Sequence, residues 1–204
     1  FYVREQWQAQ VQAQTQAAMD ALQARIRPHF LFNSMNTIAS LVRSDPATAE
    51  RAVEDLSDLF RAALGADRGE ATLAEEIELG RRYLDIEGLR LGGRLRVHWQ
   101  LPEPLPMLRL PRLVLQPLLE NAVLHGVARL PEGGRIDITL QVAGRTLEIV
   151  IRNPAAADSD PGLHNGHAQD SIAQRLRHRL GNGARLHAGR EGADYVCRLH
   201  LPLP

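Results

Sequence analysis

The sequence predicts an α+β protein in two parts. A helical hairpin over residues 1–66 forms a four-helix bundle with a second copy, and a two-layer α/β sandwich covers residues 67–204. Three observations predict this. Apolar residues recur at helical spacing through two consecutive segments, Leu31 to Val42 and Ala52 to Ala63. The period then changes, and Leu95, Val97, Trp99 and Leu101 alternate with polar residues. Beyond that point strands with one apolar face are interleaved with helical stretches, the pattern of a sheet covered by helices.

Residues 4–24 are rich in Gln and Ala, good helix formers, and run without a breaker toward Pro28. A continuous helix from Arg4 to Arg43 would be about 60 Å long at about 1.5 Å per residue. Leu31, Met35, Ile38 and Val42 form its apolar stripe, and His29, Asn33, Asn36, Ser40 and Arg43 fall opposite. Pro28 removes a backbone hydrogen bond beside this stretch and predicts a local kink. Asp45 followed by Pro46 reads as an N-cap and first helical position. The next helix presents Ala52, Val53, Leu56, Leu59, Phe60 and Ala63 on one face and ends at Gly65. One hairpin cannot close a core, so two copies are expected to associate.

Residues 66–70 read as a linker. Thr72-Leu73-Ala74-Glu75 has the spacing of a capping box and opens a helix with Leu73, Ile77, Leu84 and Leu91 inward. After the strand at Leu95, residues 110–126 read as a helix, with Pro111 and Pro117 in its first half. Ile136, Ile138, Leu140 and Val142 alternate, Ala143-Gly144-Arg145 turns, and Leu147, Ile149 and Ile151 alternate again, which predicts a hairpin. Residues 153–166 read as loop, 168–180 as helix, and Tyr195, Cys197, Leu199 and Leu201 as the last strand.

Composition bounds the function. With 24 basic and 24 acidic residues the net charge is zero, which gives no electrostatic case for direct nucleic-acid binding. Every cation among Lys and Arg is arginine, so a charged phosphate contact would be a planar guanidinium. The single Cys197 lies in a strand pattern and reads as a small core hydrophobe, consistent with a reducing compartment. No apolar run approaches the ~18 residues of a membrane span, and no signal peptide is expected. The chain opens on Phe1 and reads as a fragment.

Two segments carry a resemblance. Pro28-His29-Phe30-Leu31-Phe32-Asn33-Ser34-Met35-Asn36, with Leu115-Gln116-Pro117-Leu118-Leu119-Glu120-Asn121-Ala122-Val123-Leu124-His125-Gly126, resembles the sensor histidine kinases of the LytS/YehU/AlgZ type. The resemblance runs from about Leu22 to Pro204, and Tyr83-Leu84-Asp85-Ile86-Glu87 with Arg90 also looks like a family block. It implies a dimerisation and phosphotransfer hairpin followed by an ATP-binding domain of the Bergerat (GHKL) fold. It further implies a membrane sensor upstream, hence a cytoplasmic portion of a protein of the bacterial inner membrane, and a response regulator as partner, with a LytTR-type DNA-binding output.

In that reading His29 is the phosphoacceptor, and imidazole is a competent nucleophile near neutral pH. Asn33 matches the position from which related kinases orient water for dephosphorylation of the regulator. Phe30 stands where many kinases place an acid. Asn121 supplies an oxygen to the Mg²⁺ that bridges the ATP phosphates, Glu120 holds a metal-bound water, His125 shares the Asn121 face, and Gly126 opens the lid. From the residues alone, His29 and Asn33 are also readable as helix-surface groups, and Glu120-Asn121 as a helix end.

At the adenine end the resemblance maps Asn153 onto the family's usual aspartate, and Pro154-Ala155-Ala156-Ala157 replaces the glycines next to it. An asparagine carbonyl can accept the adenine amino proton, more weakly than a carboxylate. Gly166 is the glycine left in the second lid motif. Arg175 is the candidate phosphate contact, and equally a solvated helix residue. The implied function is an ATP- and Mg²⁺-dependent protein-histidine kinase acting as a homodimer. The alternative is a degenerate kinase, a scaffold or response-regulator phosphatase with weak ATP binding.

Overall fold

The computed structural model describes residues 28–65, 69–155 and 166–204. The helix expected over residues 4–24, the kink expected at Pro28, most of the linker and most of the 153–166 loop therefore lie outside the described residues. Contacts divide the chain into two compact units, Phe1–Asp67 and Arg68–Pro204.

In the first unit, α1 (Pro28–Ser44) and α2 (Pro46–Leu64) pack as a hairpin. Asp45 makes the turn. Its carboxylate accepts from the backbone N–H of Thr48 at 3.1 Å, which caps α2, and Pro46 comes directly after it. Phe30, Ser34 and Ile38 are buried on α1, and Ala49, Ala52, Leu56, Leu59 and Ala63 on α2. Ser34 tolerates burial because its hydroxyl donates to the Phe30 carbonyl at 2.8 Å.

The apolar stripe expected on α1 is divided in the structure. Of its members only Ile38 is buried, and Met35 and Val42 are 53% and 55% exposed. The helix carries three arcs: one for its hairpin partner (Phe30, Ser34, Ile38), a second apolar one (Leu31, Met35, Val42) and a polar one bearing His29. Periodicity averages two neighbouring apolar arcs into one stripe. In α2, Val53 at 48% and Leu64 at 54% exposure likewise stand off the buried face.

The second unit begins with β1 (Glu70–Thr72), which pairs antiparallel with β3 (Arg109–Pro111). The expected linker thus ends in a short strand at Glu70. Between them lie α3 (Leu73–Leu91), opened by the capping box of Thr72 and Glu75, and β2 (Leu95–Gln100). Next come α4 (Leu115–Asn121), β4 (Gly134–Ala143), β5 (Thr146–Pro154), α5 (Gly166–Leu180), β6 (Arg185–Glu191) and β7 (Asp194–Pro202). The helix expected from Leu110 starts only at Leu115. Pro111 closes β3, and Pro117 falls in the first helical turn, where its missing N–H costs nothing.

The main sheet has the order β2-β4-β5-β7-β6, with β2 parallel to β4 and the other neighbours antiparallel. Gly144, at φ +59°, turns the β4–β5 hairpin. Ile136, Ile138, Leu140, Leu147, Ile149, Ile151, Leu199 and Leu201 are all buried. Alternation placed them correctly on one face. It overreached at Val97 on the edge strand β2 and at Val142 near the turn end of β4, both exposed, and it missed β6, whose Arg185-Leu186-His187-Ala188-Gly189-Arg190-Glu191 is too polar to read as a strand. Among the described residues no helix is long and apolar enough to cross a membrane.

Cys197 is buried in β7, and desolvation pushes its thiol up to about 12. The thiolate is the reactive form. A thiol reagent at mildly alkaline pH is therefore expected to modify Cys197 only when denaturant unfolds the sheet, read by intact mass with and without guanidinium. Rapid modification of the native chain would contradict the packing described.

Candidate functional site

Each unit holds some of the residues expected to carry the chemistry. In the first, His29 sits in the opening turn of α1 on its polar arc and is exposed. Asn33 stands one turn on, with its amide nitrogen 3.0 Å from Nδ1 of His29. In that orientation the amide donates to Nδ1 and the ring proton is on Nε2. Turned end for end, the same amide accepts from an Nδ1 proton and leaves the lone pair on Nε2. Phe30 is 7% exposed and belongs to the hairpin seam, so an acid there would face the α2 packing and not the imidazole.

In the second unit, the helix of Glu120 and Asn121 changes pitch at the residues of interest. From Ala122 to Gly126 it widens to a π turn and then tightens to a 3₁₀ turn over Val127–Arg129. Such local changes of pitch recur at functional sites. Asn121 is 7% exposed, and its amide nitrogen has no hydrogen-bond partner among the described residues. An orphaned buried amide is costly unless something else satisfies it. Gln116 donates to Glu120 at 3.0 Å, which holds the carboxylate along the helix. Glu120 and His125 are half-buried.

Gly126 joins this helix to the sheet. A Cβ at this position would lie 2.2 Å from the amide nitrogen of Asn153 and 2.9 Å from the Pro154 carbonyl oxygen. Gly134 does the same from the other side, where a Cβ would meet Pro154 Cγ at 2.4 Å. Two glycines thus cradle the end of β5. Asn153 is 4% exposed and faces Tyr195 in register, so β5 runs two residues further than the strand expected to stop before it. Its amide donates to the Pro154 carbonyl at 2.9 Å, which leaves the oxygen as the accepting end. The structure therefore brings Gly126 against Asn153, on the helix that carries Glu120, Asn121 and His125. Gly166 is the first residue of α5, and the residues between Ala155 and Gly166 lie outside the described chain.

The structure gives Arg175 a different task from the phosphate contact expected of it. Its two terminal nitrogens donate to the backbone carbonyls of Arg112 at 2.7 Å and Leu113 at 2.8 Å. From the opposite side Glu76, 1% exposed on α3, accepts from the N–H groups of Leu113, Val114 and Leu115 at 2.7, 2.8 and 3.0 Å. Burial pushes the Glu76 carboxyl above its ordinary range, against the pull of these three donors and of Arg175. Sequence reasoning passed over Glu76. The available signal was a carboxylate beside Ile77, on the apolar side of an amphipathic helix.

Among the described residues no group of three or more His, Cys, Asp or Glu side chains could hold a metal ion. An ion held by one side-chain oxygen, phosphates and waters needs no such group. Asn121 fits that role chemically: its carbonyl oxygen is a hard-cation ligand, and its orphaned N–H can donate to phosphate.

An exposed histidine on a helical hairpin, followed by a mixed sheet with an asparagine-bearing helix abutting a strand end, is the arrangement that the histidine kinase resemblance implies. Residues 17–95 match the family model for histidine kinases. The sensor histidine kinase BtsS of Escherichia coli (strain K12) is 35% identical over 199 residues, covering 98% of this chain and 35% of BtsS. The sensor protein LytS of Staphylococcus haemolyticus is 29% identical over 199 residues, covering 91% of this chain and 34% of LytS. The catalytic domain of histidine kinase ThkA superposes with a TM-score of 0.51 at 14% identity, over 66% of this chain and 97% of that one, a likeness of fold alone. Residues 17–95 thus match the histidine kinase family, the chain is a homologue of the LytS/YehU sensor histidine kinases over more than nine-tenths of its own length, and its second unit has the GHKL fold. It spans about a third of the length of these relatives.

Proposed function

We propose that this chain is the phosphotransfer and ATP-binding portion of a two-component sensor kinase, in which His29 receives the γ-phosphoryl group of ATP and passes it to an aspartate of a response regulator. The observation that carries the reading is the pairing of His29 and Asn33 on the polar arc of α1, in a chain whose other unit buries an orphaned Asn121 amide. With the Asn33 carbonyl accepting from Nδ1–H, Nε2 presents its lone pair to the γ-phosphorus. The N–P bond forms, the bond to the β-phosphate bridging oxygen breaks, ADP leaves with that electron pair, and the Nδ1 proton of the phosphorylated ring, hydrogen-bonded to the Asn33 carbonyl, passes to water. Asn33 thereby does the orienting that an acid after the histidine does elsewhere.

Asn121 would hold Mg²⁺, which would neutralise charge on the phosphates, Glu120 would hold a water of that ion, and the Asn153 oxygen would accept from the adenine amino group. His125 and Gly126 shape the nucleotide edge, and Gly166 the start of α5. The partner is a response regulator with a LytTR-type output, and the membrane is reached through a sensor region upstream. Incubation with Mg-ATP labelled on the γ-phosphate tests the reading: an acid-labile, alkali-stable label on the chain is expected. Pro154 and Ala155 in place of glycines favour a second reading, a scaffold or phosphatase with weak nucleotide affinity, and undetectable ATP binding by calorimetry would select it.

The same proposal takes a homodimer as the working form. Met35 and Val42 of the second apolar arc of α1, with Val53 and Leu64 of α2, are exposed in one copy, and the two-helix geometry suits a four-helix bundle. Val42→Glu combined with Val53→Glu is expected to turn a dimer into a monomer in analytical ultracentrifugation while helicity persists. A dimer unaffected by both charges would place the interface elsewhere.

A further inference from the structure

Leu113 adopts φ +57°, a left-handed conformation that leucine rarely takes. Both peptide groups flanking it are gripped at both ends. In the first, the Arg112 carbonyl accepts from Arg175 and the Leu113 N–H donates to Glu76. In the second, the Leu113 carbonyl accepts from Arg175 and the Val114 N–H donates to Glu76. Glu76 also takes the N–H of Leu115, the first residue of α4. A buried carboxylate from α3 and a guanidinium from α5 thus hold one strained residue from opposite sides. The helix of Glu120 and Asn121 begins two residues beyond it.

That helix is short, seven residues before its pitch changes, so its direction is set at its ends. At the far end Gly126 lies flush on Asn153, and the Arg94 guanidinium donates to the Leu130 carbonyl at 2.9 Å just beyond. At the near end the clamp on Leu113 fixes where the helix begins and how it is rotated. We propose that Glu76 and Arg175 are positioning residues for metal binding: by holding Leu113 left-handed they set the axial place and rotation of α4, and with it the position from which Asn121 meets the Mg²⁺ of a bound nucleotide. This inference rests on the nucleotide reading above. Neither residue touches the nucleotide. Glutamine at 76 would oppose its own N–H₂ to backbone donors, and lysine at 175 would hold one carbonyl where arginine holds two.

Three single variants of the full chain test it. Glu76→Gln and Arg175→Lys break the clamp, and Glu87→Gln removes an equally buried acid of α3 whose partner is Arg90. ATP binding is measured by calorimetry in EDTA and across a Mg²⁺ titration, with thermal unfolding followed in parallel. For the two clamp variants the Mg²⁺ concentration giving half-maximal enhancement of ATP affinity is expected to rise about tenfold or more, the scale at which supporting residues act on metal affinity. Metal-free ATP affinity is expected to stay within about twofold, because the Asn153 end is anchored separately. Glu87→Gln is expected to lower the melting temperature and leave the Mg²⁺ requirement unchanged. Should Glu76→Gln fail to fold, Arg175→Lys carries the test. Clamp variants with the wild-type Mg²⁺ requirement, or a Glu87→Gln variant with the same shift, would overturn the positioning role while leaving the kinase reading standing. A wild-type chain that binds no Mg-ATP would take both down.

Discussion

Glutamine at position 29 is expected to remove the acid-labile label completely while leaving the melting temperature and ATP affinity of the chain unchanged. His29 lies exposed on the polar arc of α1, outside the Phe30, Ser34 and Ile38 seam, so its loss removes a nucleophile and little packing. Glutamine keeps a polar side chain beside Asn33 but cannot be phosphorylated. The measurement is phosphorylation from γ-labelled ATP, quantified after alkaline and acid treatment and set beside calorimetric ATP binding for the same preparations. Persistent acid-labile label in the His29→Gln chain would move the acceptor to another histidine and remove the central assignment of the first unit.

Alanine at position 126 is the second substitution with a large expected effect. Its φ of −106° lies outside the left-handed region, and the close approach of Asn153 is an observation that by itself calls for glycine here. A methyl group here would stand 2.2 Å from the Asn153 amide nitrogen, and neither that buried side chain nor the adjoining Pro154 carbonyl can yield without moving β5 against the end of the helix. Overpacking of this kind costs about 1–3 kcal/mol. The same displacement would separate Asn153 from the Asn121 helix, so ATP affinity is expected to fall by more than the stability loss accounts for. Thermal unfolding and calorimetry on Gly126→Ala and, as a comparison, Gly88→Ala measure this. Gly88 has open space where a Cβ would go, and alanine there is expected to be tolerated. Equal behaviour of the two variants would show that the strand end is not held as described.

Much of this was legible from residues alone, for identifiable reasons. Caps are local, so Asp45-Pro46 and Thr72 with Glu75 announced their helices and the structure shows both hydrogen-bonded. Alternation found the β4–β5 hairpin and β7 because their apolar face is buried along nearly its whole length, Val142 at the turn end of β4 excepted. Where burial is partial the signal fails. Val97 lies on an edge strand, β6 carries more charge than apolar surface, and the second apolar arc of α1 merged with the first. At the site, His29, Asn121 and Asn153 could be singled out because they stand in family motifs or at a strand end. The Glu76 and Arg175 clamp could not. Its bonds reach backbone atoms of Leu113 from 37 and 62 residues away along the chain, a pairing that only the folded protein displays.

The three arcs of α1 constrain how this helix can change. The hairpin seam, the second apolar arc and the polar arc of His29 share its circumference between His29 and Val42. A single deletion between Phe30 and Ile38 would swing everything on one side of it by about 100° relative to the other. The imidazole would then be carried out of step with Ile38. Homologues should therefore exchange residues along this segment and keep its length, and a natural gap within it would be expected only where a compensating insertion restores the count.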